Sequence, residues 1–111
     1  MSHWKKLGFA LCLSAAAMSS VWAQKSVSIV VPFAPGGNTD LVARILAERL
    51  RPRLGVPVVV ENKPGGGALL ASTFVAKAEP DGHTLLLTTV AHAATPALRK
   101  SMPYDSEADF T

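Results

Sequence analysis

What most constrains this chain is a unit it uses twice: a β-branched apolar run, a glycine loop, then a stretch with helical periodicity. Ser26–Phe33 (SVSIVVPF) is almost continuously apolar, which predicts a strand covered on both faces. Turn formers follow from Ala34 to Asp40, and Asn38, Thr39 or Asp40 can each cap what comes next. In the helix Val42, Ile45, Leu46 and Leu50 recur at three- and four-residue steps, with Arg44 and Glu48 as an i,i+4 pair on the other side. Arg49, Arg51 and Arg53 gather near its C-terminal end, where the helix dipole favours cations. Pro52 is expected to kink or end the helix, and Gly55 suits the stop.

The second copy begins with Pro57–Glu61 (PVVVE), read as another buried strand, followed by the loop Asn62–Gly67 (NKPGGG). A helix is predicted from about Ala68 to Ala78, with Leu70, Phe74 and Val75 as its apolar face. Glu79–Gly82 turns the chain, and Thr84–Thr89 (TLLLTT) reads as a third buried strand. Val90–Ala94 is expected to be a loop, with Thr95-Pro96 as N-cap and first position of a short helix to about Lys100.

Buried strands joined by helices define an α/β chain: a parallel sheet with right-handed helical crossovers. In such sheets ligands bind outside the carboxyl ends of the strands. The loops after Phe33, Glu61 and Thr89 all emerge there.

The N-terminal segment is set apart from this pattern. Lys5 and Lys6 precede an apolar run, Leu7–Met18, too short to span a bilayer, and Val21 and Ala23 stand where a signal peptidase reads small residues. Residues 1–23 are therefore expected to be a signal peptide, with residues 24–111 as the exported part. Cys12, the one cysteine, lies inside the signal, so the exported part has no disulfide, no thiol nucleophile and no cysteine metal ligand. Such a chain suits a periplasm. The net charge of +3 owes much to Lys5 and Lys6, and no basic stripe interleaved with aromatics remains, which argues against nucleic acid. Beyond Ala23 no apolar run is long enough to re-enter a membrane.

The first loop, Pro35 to Asp40, joins a strand to a helix N-terminus through Gly36 and Gly37. Glycines let a backbone approach a ligand closely, and free N–H groups at a helix start favour an anion. Gly65, Gly66 and Gly67 repeat the proposal from the neighbouring strand as a concave run of N–H groups. Asp40 would repel an anion and is assigned to supporting the first helical turn. Asp81 is a turn residue, Asp105, Glu107 and Asp109 form a solvated acidic tail, and His92 is more often a packing residue than a catalyst. There is no phosphate-loop or dinucleotide fingerprint, no nucleophile elbow and no metal-ligand spacing. No cofactor is expected and the chain is read as a binder, not an enzyme.

Several stretches resemble the Bug receptors, the extracytoplasmic solute receptors of tripartite tricarboxylate transporters. They are Ile29–Asp40 (IVVPFAPGGNTD) with Ala43-Arg44, Leu54–Gly65 (LGVPVVVENKPG), Pro80–Leu87 (PDGHTLLL), and Pro103-Tyr104-Asp105 with Asp109-Phe110. The resemblance implies a type II periplasmic binding protein that closes two lobes around a small carboxylated solute and delivers it to a membrane permease. It implies ligand contacts from the first loop (Phe33, Pro35, Gly36, Gly37, Asn38, Thr39 and Asp40), from Gly65, Gly66 and Gly67, and from the third (Thr88, Thr89, Val90, Ala91 and His92). Ala68, Leu69 and Ala71 depart from the family pattern, in which glycines and a small polar residue are usual there.

Residues 24–111 are accordingly expected to form an incomplete first lobe, marginally stable and a weak binder by itself. The rival expectations are an exported α/β enzyme acting on an anionic substrate, and a truncated gene product without function. Within the first loop, Gly37→Val is expected to weaken binding by blocking close approach and by disfavouring a positive φ.

Overall fold

A computed structural model describes residues 25–111; the expected signal peptide and its cleavage point after Ala23 lie outside the described residues. The elements are β1 (Val27–Val31), α1 (Asn38–Leu54), β2 (Val58–Asn62), a 3₁₀ turn (Gly66–Ala68), α2 (Leu69–Lys77), β3 (Thr84–Leu86) and α3 (Ala91–Leu98). The strands form one parallel sheet in the order β2-β1-β3, with Val27 opposite Val58 and Ser28 opposite Thr84. This is the expected sheet with helical crossovers. Because the chain moves to one side of β1 and then to the other, right-handed crossovers place α1 and α2 on opposite faces. The reversal of direction beside β1 is where parallel sheets open a crevice for ligands.

Only β1 is covered on both faces. Val27, Ile29 and Val31 join Ala43, Ala47 and Val58 in the core, while Val30, whose side chain alternates to the other face, is also fully buried. The outer strands differ from the buried ones expected: Val59 of β2 and Leu85 of β3 are 45% and 40% exposed. The apolar faces predicted for the helices also shift. Val42, Ile45 and Leu46 of α1 and Leu70 and Phe74 of α2 are largely exposed, and the residues against the sheet are Ala43 and Ala47 in α1 and Ala71 and Ser72 in α2. Small side chains let a helix backbone come close to a strand, and that close approach sets the rotation of each helix.

Element ends moved for identifiable reasons. β1 stops at Val31 because Pro32 has no N–H for the ladder. With β1 gone, β3 loses its partner after Leu87 N–H bonds Val30 O at 3.0 Å, so Thr88 and Thr89 are loop, not strand. Pro52 sits inside α1 without ending it, and the helix stops as expected at Gly55, whose φ of 68° lets its N–H reach Arg51 O at 2.9 Å. Arg51 Nε and Nη2 both donate to Val58 O, at 3.1 and 3.0 Å, tying the end of α1 to the start of β2.

The segment after β3 departs most. Residues 91–94, expected as loop, are the first turn of α3, and Thr95-Pro96 lies inside it. Ala91, Ala93 and Ala94 are strong helix formers, and the turn is closed by Ala93 and Ala94 N–H to Val90 O, both at 3.1 Å. Among the described residues no helix is long and apolar enough to cross a membrane.

Candidate functional site

The carboxyl edge of the sheet gathers the three loops. The first, residues 32–37, is fastened at both ends. Gly36 takes φ 96° and donates its N–H to Asp40 Oδ2 at 3.0 Å, while the Phe33 carbonyl accepts from Asn62 Nδ2 at 3.1 Å. Gly37 is the N-cap of α1 at φ −81°, ψ 175°, an extended conformation open to any residue. The positive-φ part of the expected Gly37→Val effect therefore belongs to Gly36, and only the obstruction argument stays with Gly37. No side chain caps α1, contrary to the expectation for Asn38, Thr39 or Asp40. The first helical bond runs from Leu41 N–H to Gly37 O at 3.0 Å, which leaves the N–H groups of Asn38, Thr39 and Asp40 without intrahelical acceptors. Asn38 is exposed and Thr39 half-buried, so these donors lie where a solute can meet them.

Asp40 is turned inward. It is 4% exposed, and besides Gly36 N–H it accepts from Arg44 Nε at 3.0 Å and Asn62 Nδ2 at 2.9 Å. The Arg44 bond, followed by those from Gly36 and Asn62, holds its carboxyl at about 2, below the ordinary 3.8. Its role in support of the helix start is thus carried by a bond to the residue ahead of the N-cap. Arg44 faces Asp40 in place of the expected partner Glu48, and also reaches Asn62 Oδ1 at 3.4 Å. From sequence Arg44 was expected only as the partner of Glu48 and Asn62 only as the start of the second loop; neither was read as a residue of the site. The available signal was Asn62 closing a β-branched run, where an amide can still reach a neighbouring loop.

The second loop owes its shape to successive positive φ values: Gly65 at 135°, Gly66 at 62°, Gly67 at 64° and Ala68 at 77°. Ala68, one of the departures from the family pattern, is a buried alanine in the left-handed region that favours glycine. Lys63 Nζ lies 4.2 Å from the centroid of the Phe74 ring.

The third loop reaches the second where α3 packs against the 3₁₀ turn. Thr89 and Val90 are exposed, and Ala91 and His92 belong to α3. His92 stacks on Tyr104 with ring centroids 5.9 Å apart and meets Phe110 edge-on at 4.8 Å, which makes it a packing residue. Its Nδ1 and the Thr88 hydroxyl are buried without partners among the described residues. Both border a cleft of about 830 Å³ along β3, between Leu46, Val75 and Phe110.

Two further aspartates are held by bonds of their own. Asp81 accepts from His83 N–H at 3.0 Å and pairs with Lys25, which also reaches Glu79. Asp105 is exposed, as expected of the acidic tail, and it accepts from Ala108 and Glu107 N–H groups, both at 2.9 Å, which hold its carboxyl below the usual range. Among the described residues no group of three or more His, Cys, Asp or Glu is placed to hold a metal.

In open parallel sheets ligands bind at an edge of this kind, and comparison with known proteins gives the family. Residues 42–111 match the receptor family of tripartite tricarboxylate transporters. The chain belongs to that family. It is similar to BugT of Bordetella pertussis, with 38% identity over 94 residues, covering 83% of this chain and 29% of BugT. Among solved structures it is similar to the periplasmic binding protein BugD (49% identity, TM-score 0.67, covering 77% of this chain and 29% of BugD). It is also similar to MatC from Rhodopseudomonas palustris with bound malate (43% identity, TM-score 0.62, covering 74% and 29%). The chain thus spans about 29% of the length of these relatives and takes the fold of part of one lobe.

Proposed function

We propose that this chain is the front part of a periplasmic solute receptor that holds the carboxylate of a small solute for a membrane permease. The observation that supports this most is the N–H set of Asn38 and Thr39, without acceptors among the described residues, at a helix start beside the point where the sheet order reverses, with the second glycine loop tied alongside. Such groups present partial positive charge to an anion without the desolvation cost of a buried cation. The malate bound by MatC is a ligand of this chemistry. In this reading residues 24–111 contribute one wall of the cleft, and the mechanism is binding without turnover.

One wall by itself gives little affinity. The attraction of a helix start for a solvated anion is about 0.3–1 kcal/mol, far below the roughly 8 kcal/mol of micromolar binding. Titration of ¹⁵N-labelled residues 24–111 with malate is expected to shift the Asn38 and Thr39 amide resonances only in the millimolar range. Gly37→Val is expected to abolish those shifts and Asp81→Ala to leave them, since Asp81 lies at the other end of β3. Equal losses from the two substitutions would remove Gly37 from the site.

Periplasmic placement rests on removal of residues 1–23. Intact mass of the exported product is expected to correspond to a chain beginning at Gln24. A soluble product that retains Met1 would overturn the assignment.

A further inference from the structure

We infer that Asn62 is a positioning residue, whose side-chain amide holds the first glycine loop in the shape that presents the Asn38 and Thr39 N–H groups. The inference rests on the proposed reading of this edge as a carboxylate site.

The geometry gives the amide one orientation. Nδ2 faces two oxygens, Phe33 O at 3.1 Å and Asp40 Oδ1 at 2.9 Å, whereas Oδ1 faces the Arg44 guanidinium at 3.4 Å. Turning the amide over would set oxygen against two oxygens and NH₂ against a cation, so both partner types lock the same rotamer. The two Nδ2 bonds reach opposite ends of the first loop: Phe33 opens it, and Asp40 carries Gly36 through its other oxygen. Asn62 itself cannot drift, because it is the last residue of β2, paired with Val31, and the next N–H, from Lys63, bonds Val31 O at 2.8 Å. The central strand and its neighbour are thus the rigid frame, and one side-chain amide transmits their spacing to the loop. A loop with a glycine at φ 96° has many conformations open to it, and fastening both ends removes most of them in advance of ligand. Alanine at position 62 leaves Phe33 O and one side of Asp40 without a partner but does not touch the ladder.

Amide exchange and malate titration of residues 24–111 test this. In Asn62→Ala the Gly36 N–H is expected to exchange about tenfold faster while Lys63 N–H keeps its protection. The millimolar malate response of Asn38 and Thr39 is expected to disappear with it. Unchanged protection of Gly36, or equal loss at Gly36 and Lys63, would overturn the inference, the second outcome showing a residue that merely holds the sheet. If Asn62→Ala does not fold, the unsubstituted chain decides: both Nδ2 protons of Asn62 are expected to be protected, and exchange at the rate of a free amide overturns the assignment. Absence of any malate response in the unsubstituted chain would defeat the carboxylate reading, whereas Gly36 exchange still reports whether Asn62 holds the loop.

Discussion

Replacing Asp40 with alanine is expected to lower the melting midpoint of residues 24–111 by on the order of 5 °C or more. The carboxylate is nearly inaccessible and serves three donors from three parts of the chain: Gly36 N–H, Arg44 Nε and Asn62 Nδ2. Alanine leaves all of them without that acceptor, and the half-buried Asn62 amide has the poorest access to water in exchange. The same substitution is expected to flatten the acid response. The folded-state value of Asp40, about 2, lies below the ordinary 3.8, so its contribution is fully present above about pH 4 and is lost as pH falls through 2. Asp81, held at about 2 by its bond to Lys25 and then by His83 N–H, has the same window. Asp81→Ala thus serves as the comparison: it removes a surface pair and leaves the loop network intact. Thermal melts at steps between pH 5 and pH 2 measure both effects. An unchanged midpoint in Asp40→Ala at neutral pH would show that the network around it carries no stability.

Gly65→Val is expected to cost about 1–3 kcal/mol, on the order of 10 °C in the midpoint, and to disturb the second loop. Gly65 has φ 135° and ψ 151°, a region L residues scarcely populate, and a side chain there meets Leu70 Cδ2 at 3.5 Å. Its carbonyl offers no relief, because it accepts from Leu70 N–H at 3.4 Å, which holds the peptide that follows. Gly37→Val is the internal control: at φ −81° a Cβ meets only Ala34 O at 3.9 Å, so stability is expected to change little. Equal losses at the two positions would mean that the second loop is not held in the conformation described.

Much of the fold was legible in the sequence because its signals are local. Ser26–Phe33, Pro57–Glu61 and Thr84–Thr89 announced three strands through β-branched and leucine runs, and the glycine loops between strand and helix announced a parallel sheet with its loops at one edge. The family resemblance rests on the same stretches, and the comparisons place the chain in that family. Local signals also misled where local propensity was outweighed. Pro52 loses its usual force in the last turn of α1, where it deletes a single bond, and Thr95-Pro96 yielded to the alanines ahead of it.

The tertiary structure alone decided how the loops are held. Which face of α1 meets the sheet depended on how closely Ala43 and Ala47 let it approach β1, which periodicity of large apolar residues does not report. Gly36 and Gly37 look equivalent in sequence, yet one needs a positive φ and the other does not, because only the first must turn its N–H back to Asp40. Asp40, Arg44 and Asn62 became one network because parallel pairing sets Val31 beside Asn62 and so brings the end of β2 under the loop that follows β1. Sequence spacing specifies neighbours along a helix or strand. Contacts between residues 22 and 29 positions apart exist only once the sheet has formed.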